Sequence, residues 1–233
     1  MTTPRRPKPG DLVIDPLPPA RTHPVSERLR QIYAEAARLF VEKGYDATSM
    51  SDIAQAVNIT KAGLYHFVKS KEDLLMTIVT HGMDQLFDDV VEPARAVADP
   101  AERLSLIVRN HVMNIGRVRG RSGNPLTIIA DDVSGLGGER KRQIDRRKRE
   151  YFDLVRDTLG ALQARGDIDG ALDITVCAHN LIGVILWTAR WRRPEGRASR
   201  DDVAEQILAF VSRGVLARRP PDTSTLANLP TDR

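Results

Sequence analysis

The stretch that decides the fold is TSMSDIAQAVNITKAGLYHFVKSKEDL, residues 48–74. Ser49 and Asp52 have the S-x-x-D spacing of a capping box, in which each side chain accepts a hydrogen bond from a backbone N–H at the start of a helix. Apolar residues follow at helical spacing, so we expect a short helix over 50–57. Asn58 is expected to end it, because asparagine enters left-handed backbone at little cost.

A second short helix is predicted directly after a tight turn. Thr60 is placed to cap it, and the helix is expected to cover residues 61 to about 68 with Leu64 on its buried side. Ser70 and Asp73 repeat the S-x-x-D spacing and open a longer helix. Two short helices around a tight turn form the arrangement that lays the second helix in the major groove of DNA.

The chemistry of this segment fits contact with a DNA duplex. Base edges are contacted from the N-terminal end of a recognition helix, while hydroxyls, cations and ring N–H groups hold phosphates. We therefore predict DNA contacts at eight residues: Thr48, Ser49, Thr60, Lys61, Gly63, Tyr65, His66 and Lys71. Ser49 and Thr60 have the alternative of serving only as helix caps, and Tyr65 that of half-buried packing. Phe67 and Val68 are interpreted as packing residues.

The segment resembles the N-terminal domain of the tetracycline-repressor (TetR) family. That family's pattern is a helix ending in a Gly-aromatic pair, then T-x-x-x-D-I-A, a short turn, L-Y-x-H-F and S-K-E-x-L. The matching residues lie between about 25 and 78 and are Gly44-Tyr45, Thr48, Asp52-Ile53-Ala54, Leu64-Tyr65, Ser70-Lys71-Glu72 and Leu74. The sequence departs from the pattern at Asn58, where a turn glycine is usual, at Phe67, where His or Tyr is common, and at Val68, where Phe is common.

The resemblance implies a fold and a function. The fold is all-α, with a three-helix helix-turn-helix domain followed by a larger helical domain that binds an effector and dimerises. The function is that of a homodimeric repressor, which binds a palindromic double-stranded DNA operator and is released by a small molecule.

Composition is compatible with these expectations. Of the 233 residues, 41% are hydrophobic and 28% are charged, and the net charge is +4. No stretch of about 18 uncharged apolar residues occurs, so no membrane span is expected. The N-terminus lacks the apolar core of a signal peptide. The single cysteine, Cys177, cannot form an internal disulfide and favours a reducing compartment, which predicts a cytoplasmic protein.

Four segments are expected along the chain. They are a basic, Pro-rich arm over 1–23, the helix-turn-helix domain over 24–70, the helical effector-binding and dimerisation domain over 71–217, and a flexible tail over 218–233. The arm has two interpretations, since it can be a solvated tail or a basic segment that touches DNA beside the main contact.

The rest of the chain is predicted to be helical, with no strand. Besides the two short helices of the helix-turn-helix, helices are expected over 24–43, 126–133, 139–165 and 172–192. A further helix is expected to begin at Lys71, to continue past Val90 and to be halted by Pro93. Two more are expected to begin at Pro100, capped by Asp99, and after a cap formed by Ser199 and Asp202. The last two long helices carry more apolar residues than one face needs. That excess fits either a tight monomer core or, as the resemblance implies, a four-helix dimer interface.

The sequence WTARWRRPEG, residues 187–196, bears on the effector. It is similar to a W-x-x-x-W-Y-R-P-G-G stretch in TetR-like regulators of lipid, steroid and aromatic-acid breakdown, which respond to acyl-coenzyme A thioesters; Arg192 and Glu195 depart from that stretch. The candidate ligand-binding residues are Trp187, Arg190, Trp191, His111 and Arg147. The expected effector is an acyl-coenzyme A thioester. The alternative is a hydrophobic compound sensed by a regulator of a drug-efflux pump.

Each ligand candidate also has a structural interpretation. The tryptophans can be core or interface anchors, and His111 can be a core histidine with both ring nitrogens satisfied. Arg147 lies in a run of mixed charges that is typical of a solvated helix face.

Enzymatic function is not favoured by any pattern in the chain. Cys177 and His179 are two residues apart, so on a helix they point to different faces and form neither a metal pair nor a nucleophile–base pair. No phosphate-cradling glycine loop follows a strand. We expect no catalytic residue, no metal site and no cofactor.

Overall fold

The structure is a computed structural model, and it describes residues 27–115, 138–191 and 196–215. These residues form helices and turns, with no strand among them, which confirms the all-α prediction. Numbered in chain order, the helices are α1 Glu27–Lys43, α2 Met50–Ala56, α3 Lys61–Tyr65, α4 Lys71–Leu86, a π-helical turn Phe87–Val91, α5 Glu92–Arg95, α6 Pro100–Ile115, α7 Gly138–Ala164, α8 Ile174–Trp191 and α9 Arg200–Val215. The predicted arm over 1–23, helix over 126–133 and tail over 218–233 lie outside the described residues.

Helices α1 to α4 form an N-terminal unit whose starts are set by caps. Ser49 and Asp52 complete the capping box of α2, and Thr60 Oγ1 accepts from the N–H of Gly63 at 3.0 Å at the start of α3. Asn58 adopts the left-handed conformation, with φ +55°. A cap contributes about 1 kcal/mol, which matters because helices of 7 and 5 residues are not stable on propensity alone.

The core of this unit joins all four helices. Its fully buried side chains include one from α1, one from α2, one from α3 and two from α4, namely Ile32, Ile53, Leu64, Leu74 and Leu75. Helix α3 ends at Tyr65, three residues earlier than predicted. The chain tightens there, since His66 and Phe67 donate to carbonyls three residues back at 3.3 and 3.0 Å.

The prediction that Pro93 halts the fourth helix is wrong. The chain remains helical through Arg95, because the π-helical turn Phe87–Val91 lets the backbone pass the proline. In that turn the N–H of Glu92 bonds to the carbonyl of Phe87, five residues back. Pro93 then stands in the first turn of α5, where a proline is tolerated.

The proline leaves one backbone acceptor in need of a donor. In a regular helix Asp89 O would accept from residue 93, but a proline has no N–H. The side-chain amide of Asn110, on α6, donates to that carbonyl at 2.8 Å, and Asn114 donates to the Asp89 carboxylate at 2.7 Å. The helix therefore continues past Pro93 with tertiary partners that a local pattern cannot indicate.

The C-terminal bundle is built around α6, which packs against α7, α8 and α9. Asp99 caps α6 as predicted, its carboxylate accepting from the N–H groups of Ala101 and Glu102 at 2.9 Å. The buried apolar side chains include Leu104, Ile107, Val108, Val155, Leu159, Leu162, Leu181 and Ile185. Helix α4 contacts both α6 and α7, so the last helix of the N-terminal unit is also part of the bundle.

Candidate DNA-binding and effector-binding sites

The exposed side of α3 carries most of the predicted DNA contacts. Lys61, Tyr65 and His66 are exposed, and Tyr65 leaves 48% of its surface open to solvent. The buried side is Leu64, so the helix is anchored in the core while its polar side chains remain available. About half of the Tyr65 surface is covered, so its exposure is compatible with a DNA contact and with half-buried packing alike.

Gly63 is constrained by the cap as well as by any DNA contact. A Cβ at this position would lie 3.2 Å from Thr60 Oγ1 and 3.8 Å from the Ile59 side chain. That oxygen is the acceptor that starts α3. A larger residue would therefore crowd the cap before any duplex approached.

An open groove of about 470 Å³ runs between α2 and the start of α3. It is lined by Ser51, Ala54, Gln55, Asn58, Ile59, Thr60 and Lys61. Ser51 and Gln55 are exposed and lie four residues apart on α2, opposite its buried face. Since the first helix of a helix-turn-helix crosses the DNA backbone, these two residues are candidates that the sequence analysis missed. Their signal was the i, i+4 spacing of hydroxyl and amide on the polar side of α2.

Ser49 is exposed but committed to its cap. Its hydroxyl and backbone N–H both bond to the Asp52 carboxylate, and Lys43 Nζ lies 3.1 Å from the same group. The pKa of Asp52 lies well below the ordinary aspartate range. The largest cause is the hydrogen bond from the Ser49 hydroxyl, followed by the bond from the Ser49 N–H and the bond from Lys43. The carboxylate therefore stays charged at the positive end of α2, where an anion is favoured.

The predicted DNA contact at Thr48 needs correction. Its side chain is buried, and its hydroxyl donates to Gly44 O at 2.8 Å and Leu39 O at 3.2 Å. Leu39 lies in the last turns of α1 and Gly44 directly follows the helix. The Thr48 side chain therefore ties the turn to the end of α1 and has no surface to offer to a phosphate.

The predicted phosphate contact at Lys71 needs the same correction. Its Nζ donates to Tyr45 O at 2.9 Å and to Thr48 O at 3.0 Å, and it lies 4.3 Å from the centre of the Tyr45 ring. A weaker bond to Asp46 O, at 3.4 Å, uses the remaining donor. The ammonium holds the α1–α2 turn together rather than facing outward.

Phe67 and Val68 differ in burial, although the sequence predicts both to be packing residues. Val68 is buried, as expected. Phe67 leaves 41% of its surface exposed, so its side chain packs only in part. The early end of α3 at Tyr65 changes the direction of the residues that follow, which a helical wheel drawn to residue 68 does not show.

The five ligand candidates fall into three different settings. Trp187, Arg190 and Trp191 lie on the outer side of α8, where the tryptophans are 63% and 51% exposed. His111 lies inside the bundle and Arg147 at the junction with α4. The interpretation of the tryptophans as monomer core anchors is therefore excluded by their exposure.

The outer side of α8 carries exposed large apolar side chains, with polar residues such as Asn180 and Arg190 between them. Val176, Trp187 and Trp191 are exposed, and so is Phe210 on the neighbouring α9. Gly183 lies between them on α8, and a Cβ there would meet nothing within 4 Å. A soluble monomer seldom leaves several large apolar side chains together in water.

His111 is buried and paired on one side only. Its Nδ1 lies 2.6 Å from the Tyr151 hydroxyl on α7, and the two rings meet edge to face. Burial lowers the pKa of His111 to about 3 and raises that of Tyr151, so both side chains are neutral near pH 7. His111 Nε2 has no hydrogen-bond partner among the described residues.

Arg147 is engaged within the protein. Its guanidinium contacts the Asp84 carboxylate at 2.5 Å and Met83 O at 3.3 Å, and it lies 4.3 Å from the centre of the Phe87 ring. These contacts join α7 to the end of α4. The predicted ligand contact at Arg147 is thus replaced by a structural one, because an effector phosphate would have to compete with all three.

Neither a metal site nor a membrane span occurs in the described parts of the chain. There, no three His, Cys, Asp or Glu side chains are grouped so that they could hold a metal ion. None of the described helices is both long and apolar enough to cross a membrane.

Comparison with known proteins matches both halves of the chain. Residues 32–78 match the model of the bacterial regulatory proteins of the tetR family, and residues 97–215 match that of the tetracyclin repressor-like C-terminal domain. The chain belongs to the TetR family. This membership confirms the predicted resemblance, and it confirms that this TetR-family protein is a DNA-binding regulator and not an enzyme.

Several relatives of this TetR-family protein have names that describe their roles. It is 30% identical over 202 residues to the HTH-type transcriptional repressor KstR2 of Rhodococcus jostii (strain RHA1), covering 86% of this chain and 97% of the relative. The crystal structure of AibR in complex with isovaleryl coenzyme A and operator DNA is similar, with 35% identity, a TM-score of 0.68, and coverage of 79% of this chain and 97% of that one. The ketosteroid transcriptional regulator KstR2 of Mycobacterium tuberculosis has a TM-score of 0.74 at 26% identity, with coverage of 84% and 98%.

Proposed function

We propose that this protein is a repressor that binds a palindromic operator as a homodimer and leaves it when an acyl-coenzyme A thioester binds. The observation that carries the proposal is the exposed side of α3. There, Lys61, Tyr65 and His66 face solvent on a helix whose start, turn and buried side are all fixed. Because they are held in place before DNA binds, little conformational entropy is lost when they meet a duplex.

The exposed groups suit different kinds of DNA contact. Lys61, at the first position of α3, can donate to a guanine edge or a phosphate, while Tyr65 and His66 can donate to phosphates. Thr60 and Ser49 contribute through the exposed edges of their caps. Ser51 and Gln55, on the outer side of α2, suit the flanking backbone.

The dimer is supported by the large apolar side chains exposed on the outer side of α8 and on α9. Val176, Gly183, Trp187 and Trp191 stand at i, i+7, i+11 and i+15, which are positions on one face of a helix. Gly183 offers a flat point where a partner helix can approach closely. A two-fold axis through this face gives two copies of α3, which must lie about 34–36 Å apart to enter successive major grooves.

The effector class is supported by two facts of different kinds. The W-x-x-x-W spacing with Arg190 sets a cation beside two aromatic rings on one side of α8, and an acyl-coenzyme A carries both phosphates and an apolar chain. AibR, a similar protein across 97% of its length, was crystallised with isovaleryl coenzyme A. The contacts of Trp187, Arg190 and Trp191 with an effector therefore lie at or beside the proposed dimer face.

A binding experiment tests the proposal in two stages. Duplexes are first selected from a random-sequence pool by the full-length protein, and the enriched sequence is expected to be an inverted repeat. Fluorescence anisotropy of that duplex is then followed while isovaleryl coenzyme A, a longer acyl-coenzyme A, free coenzyme A or a panel of hydrophobic drugs is added. Release by acyl thioesters alone supports the proposal. Release only by the drugs would favour an efflux-pump regulator. Failure to enrich any inverted repeat would contradict the proposal that the protein binds a palindromic operator.

A further inference from the structure

His111 differs from the other buried polar side chains of the described structure. Thr48, Thr158 and Thr188 all donate to backbone carbonyls, and Asn114 donates to a carboxylate. His111 is 1% exposed, yet only one of its two ring nitrogens is bonded to a described residue. An unpaired buried polar group costs about 1–3 kcal/mol, so this nitrogen destabilises the fold unless something else pairs with it.

The partner on Nδ1 decides which nitrogen carries the proton. If Nδ1–H donated to the Tyr151 oxygen, the hydroxyl hydrogen of Tyr151 and the Nε2 lone pair would both lack partners among the described residues. If the Tyr151 hydroxyl donates to Nδ1, a single group is left unpaired, namely Nε2–H. Their 2.6 Å separation fits a strong O–H···N bond. The second tautomer is the better satisfied one, and it presents Nε2 as a donor.

The residues around the Nε2–H of His111 determine which kind of acceptor group it can bind. Ile107 and Ile115, one turn to either side of His111 on α6, are buried, and the buried Asn114 beside them already donates to the Asp89 carboxylate. A phosphate or carboxylate would lose its hydration in such a place without a cation to offset the loss. An uncharged acceptor attached to an apolar group, such as a carbonyl oxygen on an acyl chain, has no such cost.

We propose that the Nε2–H of His111 donates a hydrogen bond to the acyl carbonyl of the effector inside the C-terminal bundle. In this proposal Tyr151 is a positioning residue, which fixes the tautomer. The inference rests on the proposed function, since it takes the effector to be an acyl thioester. It adds that the acyl group enters between α6 and α7, and that its carbonyl oxygen is recognised.

A pair of ligands that differ only in that oxygen tests the proposal. The probes are isovaleryl coenzyme A and its thioether analogue S-isopentyl coenzyme A, and binding to the full-length protein is measured by calorimetry. The wild type is expected to bind the thioester about tenfold or more tightly than the thioether, as expected when a buried donor loses its acceptor. In the double variant His111→Leu/Tyr151→Phe the two ligands are expected to bind within about twofold of each other, since the donor is absent.

Two further variants separate a binding role from a structural one. Tyr151→Phe keeps the His111 imidazole but removes the hydroxyl that fixes its tautomer. The preference for the thioester should therefore become smaller without vanishing. Thr158→Val removes a buried hydroxyl that bonds within its own helix, and it should keep the full preference. Both variants preserve core volume, so they report on the proposal even if the double variant does not fold.

The outcomes are distinct. Equal binding of the two ligands by the wild type overturns this inference and leaves the proposed effector class standing, as does an unchanged preference in the double variant. Binding of neither ligand by the wild type overturns the inference together with the acyl-thioester proposal. Loss of preference in the double variant with retention in Thr158→Val supports it.

Discussion

The N-terminal unit and the C-terminal bundle place their functional polar groups in opposite ways. In the first, the polar side chains that stay outside are those proposed to meet DNA, and those that turn inward, such as Thr48 and Lys71, close turns. In the second, a polar pair of His111 and Tyr151 is buried, while the large aromatic side chains Trp187 and Trp191 are exposed. The described N-terminal unit thus has its inward polar groups paired, whereas the described bundle has an unpaired buried donor and an exposed aromatic surface, which we assign to a ligand and a second copy.

The largest expected effect comes from blocking the proposed dimer interface on α8. Gly183→Leu adds a side chain that meets open space within one chain but would block an approaching helix. We expect a monomer by light scattering and operator binding weakened by about a hundredfold or more, because the two half-sites are no longer linked. Gly160→Leu is the matched control, since this α7 glycine also faces open space. A dimer that survives Gly183→Leu would move the interface elsewhere.

The next effect concerns stability of the N-terminal unit. Lys71→Met removes the donors to Tyr45 O and Thr48 O, and we expect a loss of about 2 kcal/mol in urea unfolding, since bonds to a charged group are the stronger ones. Lys69→Met is the control, because Lys69 is exposed and two residues away. If Lys71→Met has normal stability but a reduced salt dependence of operator binding, Lys71 contacts a DNA phosphate as the sequence predicts.

Local rules predicted the N-terminal unit well because its elements are set by neighbours in sequence. The capping box at Ser49 and the caps at Ser70 and Asp99 involve residues two or three positions apart, and the left-handed turn is set by Asn58 itself. The same reasoning failed where a distant partner decides the outcome. Thr48 bonds back to Leu39 O in α1, nine residues earlier, and Lys71 reaches carbonyls 23 and 26 residues earlier.

The passage of the helix beyond Pro93 was unpredictable for the same reason. It depends on Asn110, which lies 21 residues from the carbonyl that it satisfies. For the candidate effector site, the sequence indicated which residue types matter but not which were already engaged. The Asp84 partner of Arg147 is 63 residues away.

A third prediction concerns the acid stability of the bundle. The pKa of His111 falls from 6.5 to about 3 on folding, so between these values the unfolded chain binds a proton that the folded chain does not. Stability from this group is therefore complete above about pH 6.5 and declines as pH falls toward 3, by at most about 1.4 kcal/mol per pH unit. The pH dependence of the free energy of unfolding should be shallower in His111→Leu/Tyr151→Phe than in Thr158→Val. The contribution of His81, whose pKa burial also lowers, remains in both variants.

The smallest effect is expected at the junction of the two units. Arg147→Met breaks the pair with Asp84, whose side chains are 28% and 46% exposed, so we expect a loss of about 1 kcal/mol or less in urea unfolding. Affinity for isovaleryl coenzyme A should be unchanged, as it should be in the exposed control Arg149→Met. An unchanged stability with weakened ligand binding would show that Arg147 serves the effector after all.

The most direct test of the account is operator binding by variants of the exposed side of α3. Lys61→Ala/Tyr65→Ala and the remote control Arg213→Ala, on α9, are titrated by anisotropy against the selected inverted repeat at several salt concentrations. We predict that the α3 variant binds at least about tenfold more weakly, with a salt slope reduced by about 1. The control should match the wild type. Wild-type affinity and salt slope in the α3 variant would contradict the claim that this helix contacts the operator.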